Sequence, residues 1–250
     1  MKDRLTSLQN PIVKHLSHLR QNRDYRDDNK SVLIEGRKII SEVCPFHHTK
    51  LIMAYDISFI PPGVEADEIL IVNEAIMRKV SGSQNPEGII AEVDMPEAAS
   101  FTGLKWIIAL DGVSDPGNLG TLLRTALALG WEGAFILDNS CDAFNDKALR
   151  AAKGATFRLP IASGNWEKLK EIIKSNKLKP LAADMHGTDL GKVKVENGTL
   201  LILSHEAHGI SSEASELCEH IRIPMPGEME SLNVATAGGI LMYVLKQGKL

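Results

Sequence analysis

The stretch "WIIALDGVSDPGNLGTLLRTALALGWEGAFIL", residues 106–137, decides the fold. "WIIAL" (106–110) and "GAFIL" (133–137) are short and continuously apolar, the pattern of strands buried on both faces. Between them a polar, glycine-bearing loop leads into a helical segment at 119–129, so the unit reads strand, helix, strand. Reading outward, apolar strands are expected at "FRLPI" (157–161), "KPLAA" (179–183), "TLLIL" (199–203) and "HIRIP" (220–224). Helical segments at 146–153, 165–176, 211–219 and 231–245 lie between or after them. This alternation predicts an α/β fold with a parallel sheet covered on both faces, and a ligand site at the carboxyl ends of its strands.

The residues upstream form a smaller α/β module. Residues 11–20 predict a helix opened by Pro11, with Ile12, Leu16 and Leu19 on one face. Strands are expected at "VLIEG", "KLIMAYD", "EILIV" and "GIIAEV", with helices at "GRKIISEVC" and at "NEAIMRKVSG", the latter capped by Asn73. "MPEAASFTGL" (95–104) loses the periodicity and gains Pro, Ser and Gly. The expected division is therefore 1–95, a linker at 96–104, and 105–250.

With 250 residues the chain can bury a sizeable core; 44% of it is hydrophobic and 24% charged. No apolar run approaches the roughly 18–20 residues that span a bilayer, and "MKDRLTSLQNPIVKHL" has no apolar export core. Cys44, Cys141 and Cys218 stand far apart, which favours neither a disulfide framework nor a closed zinc site. A reducing compartment, cytoplasm or an organelle matrix, is expected. The net charge is −4, yet residues 1–30 carry seven Lys/Arg against four Asp. That arm reads first as a solvated helix face; contact with a nucleic-acid backbone is the other reading, for which Tyr25 between Arg23 and Arg26 is the one suggestive cluster.

At the strand ends lie "DGVSDPGNLGTLLRTA", "DMHGTD", "SHEAHGIS" and "MPGEMESLN". No G-x-G-x-x-G follows a strand and no P-loop is present, so dinucleotide and P-loop mechanisms lack support. Ser204 lacks the flanking glycines of a hydrolase nucleophile elbow. In the first loop Gly117 and Gly120 permit close backbone approach, Asn118 is a candidate helix cap, and Arg124 offers a planar fork for phosphate or ribose. His205 and His208 do not have helical zinc spacing, and no metal is expected. Glu206 is a carboxylate at the end of a buried strand. The last helix carries Gly238-Gly239 amid small apolar residues, which implies close packing, because mid-helix glycine costs about 1 kcal/mol. Packing does not account for Ser231 and Asn233 after a Pro-Gly turn.

Together "DPGNLGTLLRTA", "LILSHEAHGIS" and "IPMPGEMESLNVATAGGILMYVL" resemble, in order and spacing, the three motifs of SpoU/TrmH-type RNA ribose 2'-O-methyltransferases of the SPOUT group. "NPIVKHLSHLR", "VLIEG" and "VSGSQNPEGIIAEV" look like the RNA substrate-binding module that often precedes such a domain. The resemblance implies S-adenosylmethionine as methyl donor, a deep trefoil knot in the C-terminal domain, and a homodimer. It implies cofactor contacts from Leu203, Ser204, Gly209, Ile223, Met225 and Leu232. Arg124 matches the family arginine assigned to the 2'-hydroxyl, and its permanently charged guanidinium suits orientation better than simple base catalysis. Asn118, Glu206, Ser231 and Asn233 match the remaining catalytic polar positions. Ser204 departs from the pattern, since glycine usually stands there and a side chain narrows the approach to the cofactor. The implied substrate is RNA, ribosomal rather than transfer RNA, with no membrane and no metal. A tRNA 2'-O-methyltransferase, a non-catalytic RNA-binding assembly factor of the same fold, and a doubly wound nucleotide enzyme are the alternatives. Retention of Arg124, Glu206, Ser231 and Asn233 argues against the assembly factor, and the missing glycine fingerprint against the nucleotide enzyme.

Overall fold

The computed structural model describes residues 5–194, 198–204, 209–229 and 231–247. The chain divides into two compact units. One holds the residues up to Glu97 together with Phe144–Gly154; the other holds Ala98–Ala143 and the residues from Ala155 onward.

In the first unit α1 (Pro11–Gln21) starts at Asn10, whose side-chain oxygen accepts from the Ile12 N–H at 2.8 Å. A second helix that the sequence pattern does not predict, α2 (Arg23–Asn29), follows directly, opened by Asn22 capping the Tyr25 N–H. Then come β1 (Ser31–Glu35), α3 (Arg37–Val43), β2 (Thr49–Ala54), β3 (Glu68–Ile71), α4 (Glu74–Ser81) and β4 (Ile89–Asp94). The sheet order is β1-β4-β2-β3, with β4 antiparallel to both neighbours and β3 parallel to β2. Val13, Leu16 and Leu19 of α1 pack with Ile76, Met77 and Val80 of α4 over Leu51, Met53 and Ile90.

The basic arm is partly consumed by folding. Arg26 is buried and donates to the Leu19 and Arg20 carbonyls, satisfying the orphan end of α1. The Tyr25 hydroxyl bonds His15 Nδ1 at 2.9 Å. The expected Arg-Tyr-Arg surface cluster is therefore corrected: of the three, Arg26 belongs to the interior.

The second unit contains β5 (Trp106–Asp111), α5 (Pro116–Ala128) and β6 (Gly133–Leu137). After α6 (Asp146–Ala152), which packs in the first unit, come β7 (Ile161–Gly164), α7 (Trp166–Asn176), β8 (Lys179–Asp189), β9 (Thr199–Ser204), α8 (Ser212–Leu217), β10 (Glu219–Arg222) and α9 (Val234–Gln247). Its six strands run in the order β10-β8-β9-β5-β6-β7, every neighbouring pair parallel. Ile107, Ala109, Phe135, Leu200 and Ile202 form the centre of the core.

Four expectations are corrected here. "FRLPI" is a turn leading into β7, because Pro160 has no N–H for a ladder and the Arg158 and Leu159 N–H groups bond back to the Ala155 carbonyl. "DMHGTD" is not a loop: β8 continues through it to pair with β10, where a Cβ at Gly187 would sit 2.5 Å from the His220–Ile221 backbone. The last helix begins at Val234, so Ser231 and Asn233 precede it. Finally α6, placed by the sequence boundary in the second domain, packs in the first unit. There Arg150 pairs with Glu35 and with Asp146, and Arg20 reaches Asp146 at 3.8 Å.

Candidate active site

Parallel strands bring their carboxyl ends to one edge, and the polar residues cluster there in the second unit. β5 ends at Asp111, which lies beside Ser204, the last residue of β9. Asp111 Oδ1 accepts from Asn139 Nδ2 at 2.8 Å, and Asn139 Oδ1 accepts from the Gly112 N–H at 3.0 Å, which fixes the start of the loop. Asp115 then caps α5, its Oδ1 accepting from the Asn118 N–H at 2.7 Å, with Pro116 at the first helical position. A Cβ at Gly117 would lie 3.0 Å from that carboxylate oxygen.

Asn118 is therefore not the cap, which corrects the sequence reading. Its carboxamide instead reaches across to the other loop, and Asn118 Oδ1 accepts from Asn233 Nδ2 at 3.0 Å. Asn233 caps α9, because its Oδ1 accepts from the Ala235 and Thr236 N–H groups at 2.9 and 3.3 Å. One hydrogen bond thus couples two residues 115 positions apart, each at the opening of a helix. Arg124, six residues after Asn118, projects from the exposed side of α5 and bonds none of the other described residues.

The coupling holds because α9 lies tightly on α5 and β9. A Cβ at Gly238 would stand 2.4 Å from Leu122 Cδ2 and 2.8 Å from Leu203 Cδ1, whereas one at Gly239 would find its nearest neighbour, Thr125 Cγ2, at 3.8 Å. Further along, Trp131 Nε1 donates to the Met242 carbonyl at 3.2 Å, and Lys246 Nζ lies 4.5 Å from the Trp106 ring centre. Leu203 is fully buried beneath Gly238, so it supports the site from below and is not an open apolar wall.

Two oxygens at the sheet edge remain unsatisfied. Ser204 Oγ and Asp111 Oδ2 are buried and have no hydrogen-bond partner among the described residues. Buried polar atoms without partners are rare, and a pair on adjacent strand ends is what a polar ligand would complete. Ile223, Met225 and Leu232 are half-buried along the segments that follow β10 and precede α9. Ser231 is exposed, as is Gly209, which takes the left-handed φ of +67°. Glu206, with His205 and His208, lies outside the described residues. Asp111, Asp115 and Asn139 were missed in the sequence; Asp115-Pro116 carries a readable cap signal, whereas Asn139 becomes legible only once β5 and β6 are adjacent.

Two cysteines near this edge have thiols held toward the protonated form. Burial, then Asp142 and Asp115, pushes the Cys141 thiol up to about 11, and burial with Asp111 pushes Cys218 up to about 12. All three cysteines are free, and no group of metal-ligating side chains occurs among the described residues.

The model of the SpoU rRNA Methylase family matches residues 105–243, and that of the MRM3-like substrate binding domain matches residues 10–91. The chain is 30% identical over 246 residues to the 23S rRNA (guanosine(2553)-2'-O)-methyltransferase RlmP of Bacillus subtilis, covering 97% of this chain and 98% of that protein. It is 25% identical to the mitochondrial rRNA methyltransferase 3A of Danio rerio, over 92% of this chain and 67% of the relative. The crystal structure of an AdoMet-bound rRNA methyltransferase from Sinorhizobium meliloti superposes with a TM-score of 0.87 at 27% identity, covering 99% of this chain and 98% of that one. With its motifs gathered at one edge of a parallel sheet, the chain belongs to the SpoU rRNA methylase family.

Proposed function

We propose that this protein methylates a ribose 2'-hydroxyl of ribosomal RNA and uses S-adenosylmethionine as donor. The observation that carries the reading is the Asn118–Asn233 hydrogen bond, which joins the first and third motif loops on the helix that presents Arg124. Two relatives that match more than nine-tenths of the chain are named as rRNA methyltransferases, and the one from Bacillus subtilis as a 2'-O-methyltransferase.

The donor fits the residues present. Ser204 Oγ and Asp111 Oδ2 offer two unused buried polar atoms, and Ile223, Met225 and Leu232 offer half-buried apolar surface for an adenine ring. When bound, S-adenosylmethionine supplies a methyl group on a positively charged sulfur. The chain's own contribution is position: Arg124 holds the ribose or its phosphate through a planar fork of N–H donors, while Asn118 and Asn233 fix the loops on either side. Glu206 and Ser231 are assigned to the same polar set through the family motifs.

The same reading extends to features of the family. The C-terminal domain forms a trefoil knot, residues 1–95 are the RNA-binding domain, and the enzyme works as a homodimer in the compartment where its rRNA is modified, the cytoplasm or an organelle matrix. Exposed Ile240 and Tyr243 on α9 support the dimer, since a second copy would cover them. Among the described residues no helix is long and apolar enough to cross a membrane.

The test is binding followed by transfer. Calorimetry should detect S-adenosylmethionine binding to the purified protein, and labelled methyl should enter rRNA taken from cells that lack the enzyme. Binding without incorporation into any rRNA would refute the substrate, and absence of binding would refute the cofactor.

A further inference from the structure

The first unit carries an open depression of about 410 Å³ lined by Tyr55, Glu74, Arg78, Gln84, Asn85 and Pro86, the last three within "VSGSQNPEGIIAEV" and none in the three motifs of the second unit. Its volume lies within the roughly 300–1,000 Å³ of small-molecule sites. Four of its walls, Glu74, Arg78, Gln84 and Asn85, are exposed, so it admits part of a longer molecule whose remainder stays in water.

The depression is built in advance. Tyr55 follows β2, and its N–H donates to the Gly88 carbonyl at 3.0 Å. Its ring stands edge-to-face on Phe59, centroids 5.8 Å apart. Gly88 has a φ of +80°, and a Cβ there would sit 2.5 Å from Phe59 Cε1 and 2.8 Å from Tyr55 Cδ2, so the backbone presses directly on both rings. The loop between α4 and Gly88 is tied down at both ends. Asn85 N–H donates to Ser83 Oγ at 3.2 Å, and Glu87 N–H donates to Glu35 Oε1 at 3.1 Å. On α4, Arg78 and Glu74 form an ion pair at 2.6 Å, which sets a guanidinium and a carboxylate side by side on the rim.

We infer that this depression is a nucleotide subsite that takes one unpaired base of the RNA substrate. The base lies on the Tyr55 ring, the carboxamides of Gln84 and Asn85 and the Glu74 carboxylate meet its polar edge, and Arg78 faces its phosphate. A half-buried aromatic ring, mixed donors and acceptors, and a single cation together suit a flat heterocycle on a phosphate chain. Lysine-free walls argue against simple backbone attraction, which needs several cations and no ring. The inference rests on the proposed RNA substrate.

The test uses the full-length protein and 23S rRNA from cells that lack it. Filter binding would be measured for wild type, Tyr55→Ala, Tyr55→Phe and Asn85→Ala, alongside base-specific chemical footprinting of the rRNA and S-adenosylmethionine binding to each variant. Tyr55→Ala should weaken rRNA binding by about tenfold and Tyr55→Phe by no more than about twofold, because the ring supplies the stacking. One nucleotide protected by wild type and by Tyr55→Phe should become reactive with Tyr55→Ala while the rest of the footprint persists. If Tyr55→Ala does not fold, loss of the same protection in Asn85→Ala, a surface variant, carries the same meaning. Unchanged affinity and footprint in Tyr55→Ala or, failing that, in Asn85→Ala would overturn the subsite alone. Wild-type protein that binds S-adenosylmethionine but no rRNA would overturn the substrate reading and the subsite with it.

Discussion

Adjacent glycines in α9 should respond to alanine with opposite signs. Both substitutions gain about 1 kcal/mol of helix propensity, so that contribution cancels when the two variants are compared. What remains is packing. At Gly239 the new methyl meets Thr125 Cγ2 at 3.8 Å, an ordinary contact, and Gly239→Ala should stabilise by up to about 1 kcal/mol. At Gly238 it lands 2.4 Å from Leu122 Cδ2 and 2.8 Å from Leu203 Cδ1, both on fully buried side chains that must shift, and overpacking of that kind costs about 1–3 kcal/mol. Gly238→Ala should therefore be less stable than Gly239→Ala by about that amount. The three tryptophans, Trp106, Trp131 and Trp166, all lie in the second unit, so urea melts followed by their fluorescence read this unit alone. Methyl transfer should fall in Gly238→Ala, because lifting α9 draws Asn233 away from Asn118, and hold in Gly239→Ala. Equal stability of the two variants would refute the account of how α9 is seated.

Three further outcomes are expected. Asn118→Ala and Asn233→Ala, combined in a double-mutant cycle on methyl transfer, should show coupling of about 1 kcal/mol; strict additivity would mean the bond between the loops has no functional weight. His48 is held between Asp67 and Asp94, whose hydrogen bonds, Asp67 first, raise its pKa. The stabilisation is fully present below the unfolded pKa of about 6.5 and is lost as pH rises through the higher folded value, so an NMR titration of His48 with a midpoint at or below 6.5 would contradict the geometry. Cys141 and Cys218, pushed up to about 11 and about 12, should resist thiol reagents at pH 8 in the native protein and react once it is unfolded; rapid native labelling of either would count against their burial.

The sheet was legible because strands buried on both faces are continuously apolar and stand apart from the helices between them. β5, β6, β8 and β9 each contain the five-residue run that the sequence marks. Legibility failed where a local pattern and a tertiary partner disagreed. "FRLPI" is apolar enough for a strand, but Pro160 removes a ladder donor; "DMHGTD" is polar enough for a loop, but β10 lends it a partner. Arg26 looked like an RNA contact because sequence cannot show that the end of α1 needs its guanidinium. At the site, the family motifs supplied Arg124, Asn118 and Asn233, yet not the bond between the two asparagines, which exists only after α9 docks on α5. The unsatisfied pair Ser204 and Asp111 arises from the register of β9 against β5, a property no linear pattern carries.

Ribose methylation by this protein is tested most directly by nucleotide-resolution mapping of 23S rRNA incubated with S-adenosylmethionine and either wild-type protein or Arg124→Ala. A new 2'-O-methyl mark is expected with wild type, and at least about a hundredfold slower appearance with Arg124→Ala at unchanged cofactor affinity, because a misplaced ribose forfeits the geometric advantage. An Arg124→Ala variant that installs the mark at the wild-type rate would contradict this assignment, as would methylation confined to a base atom.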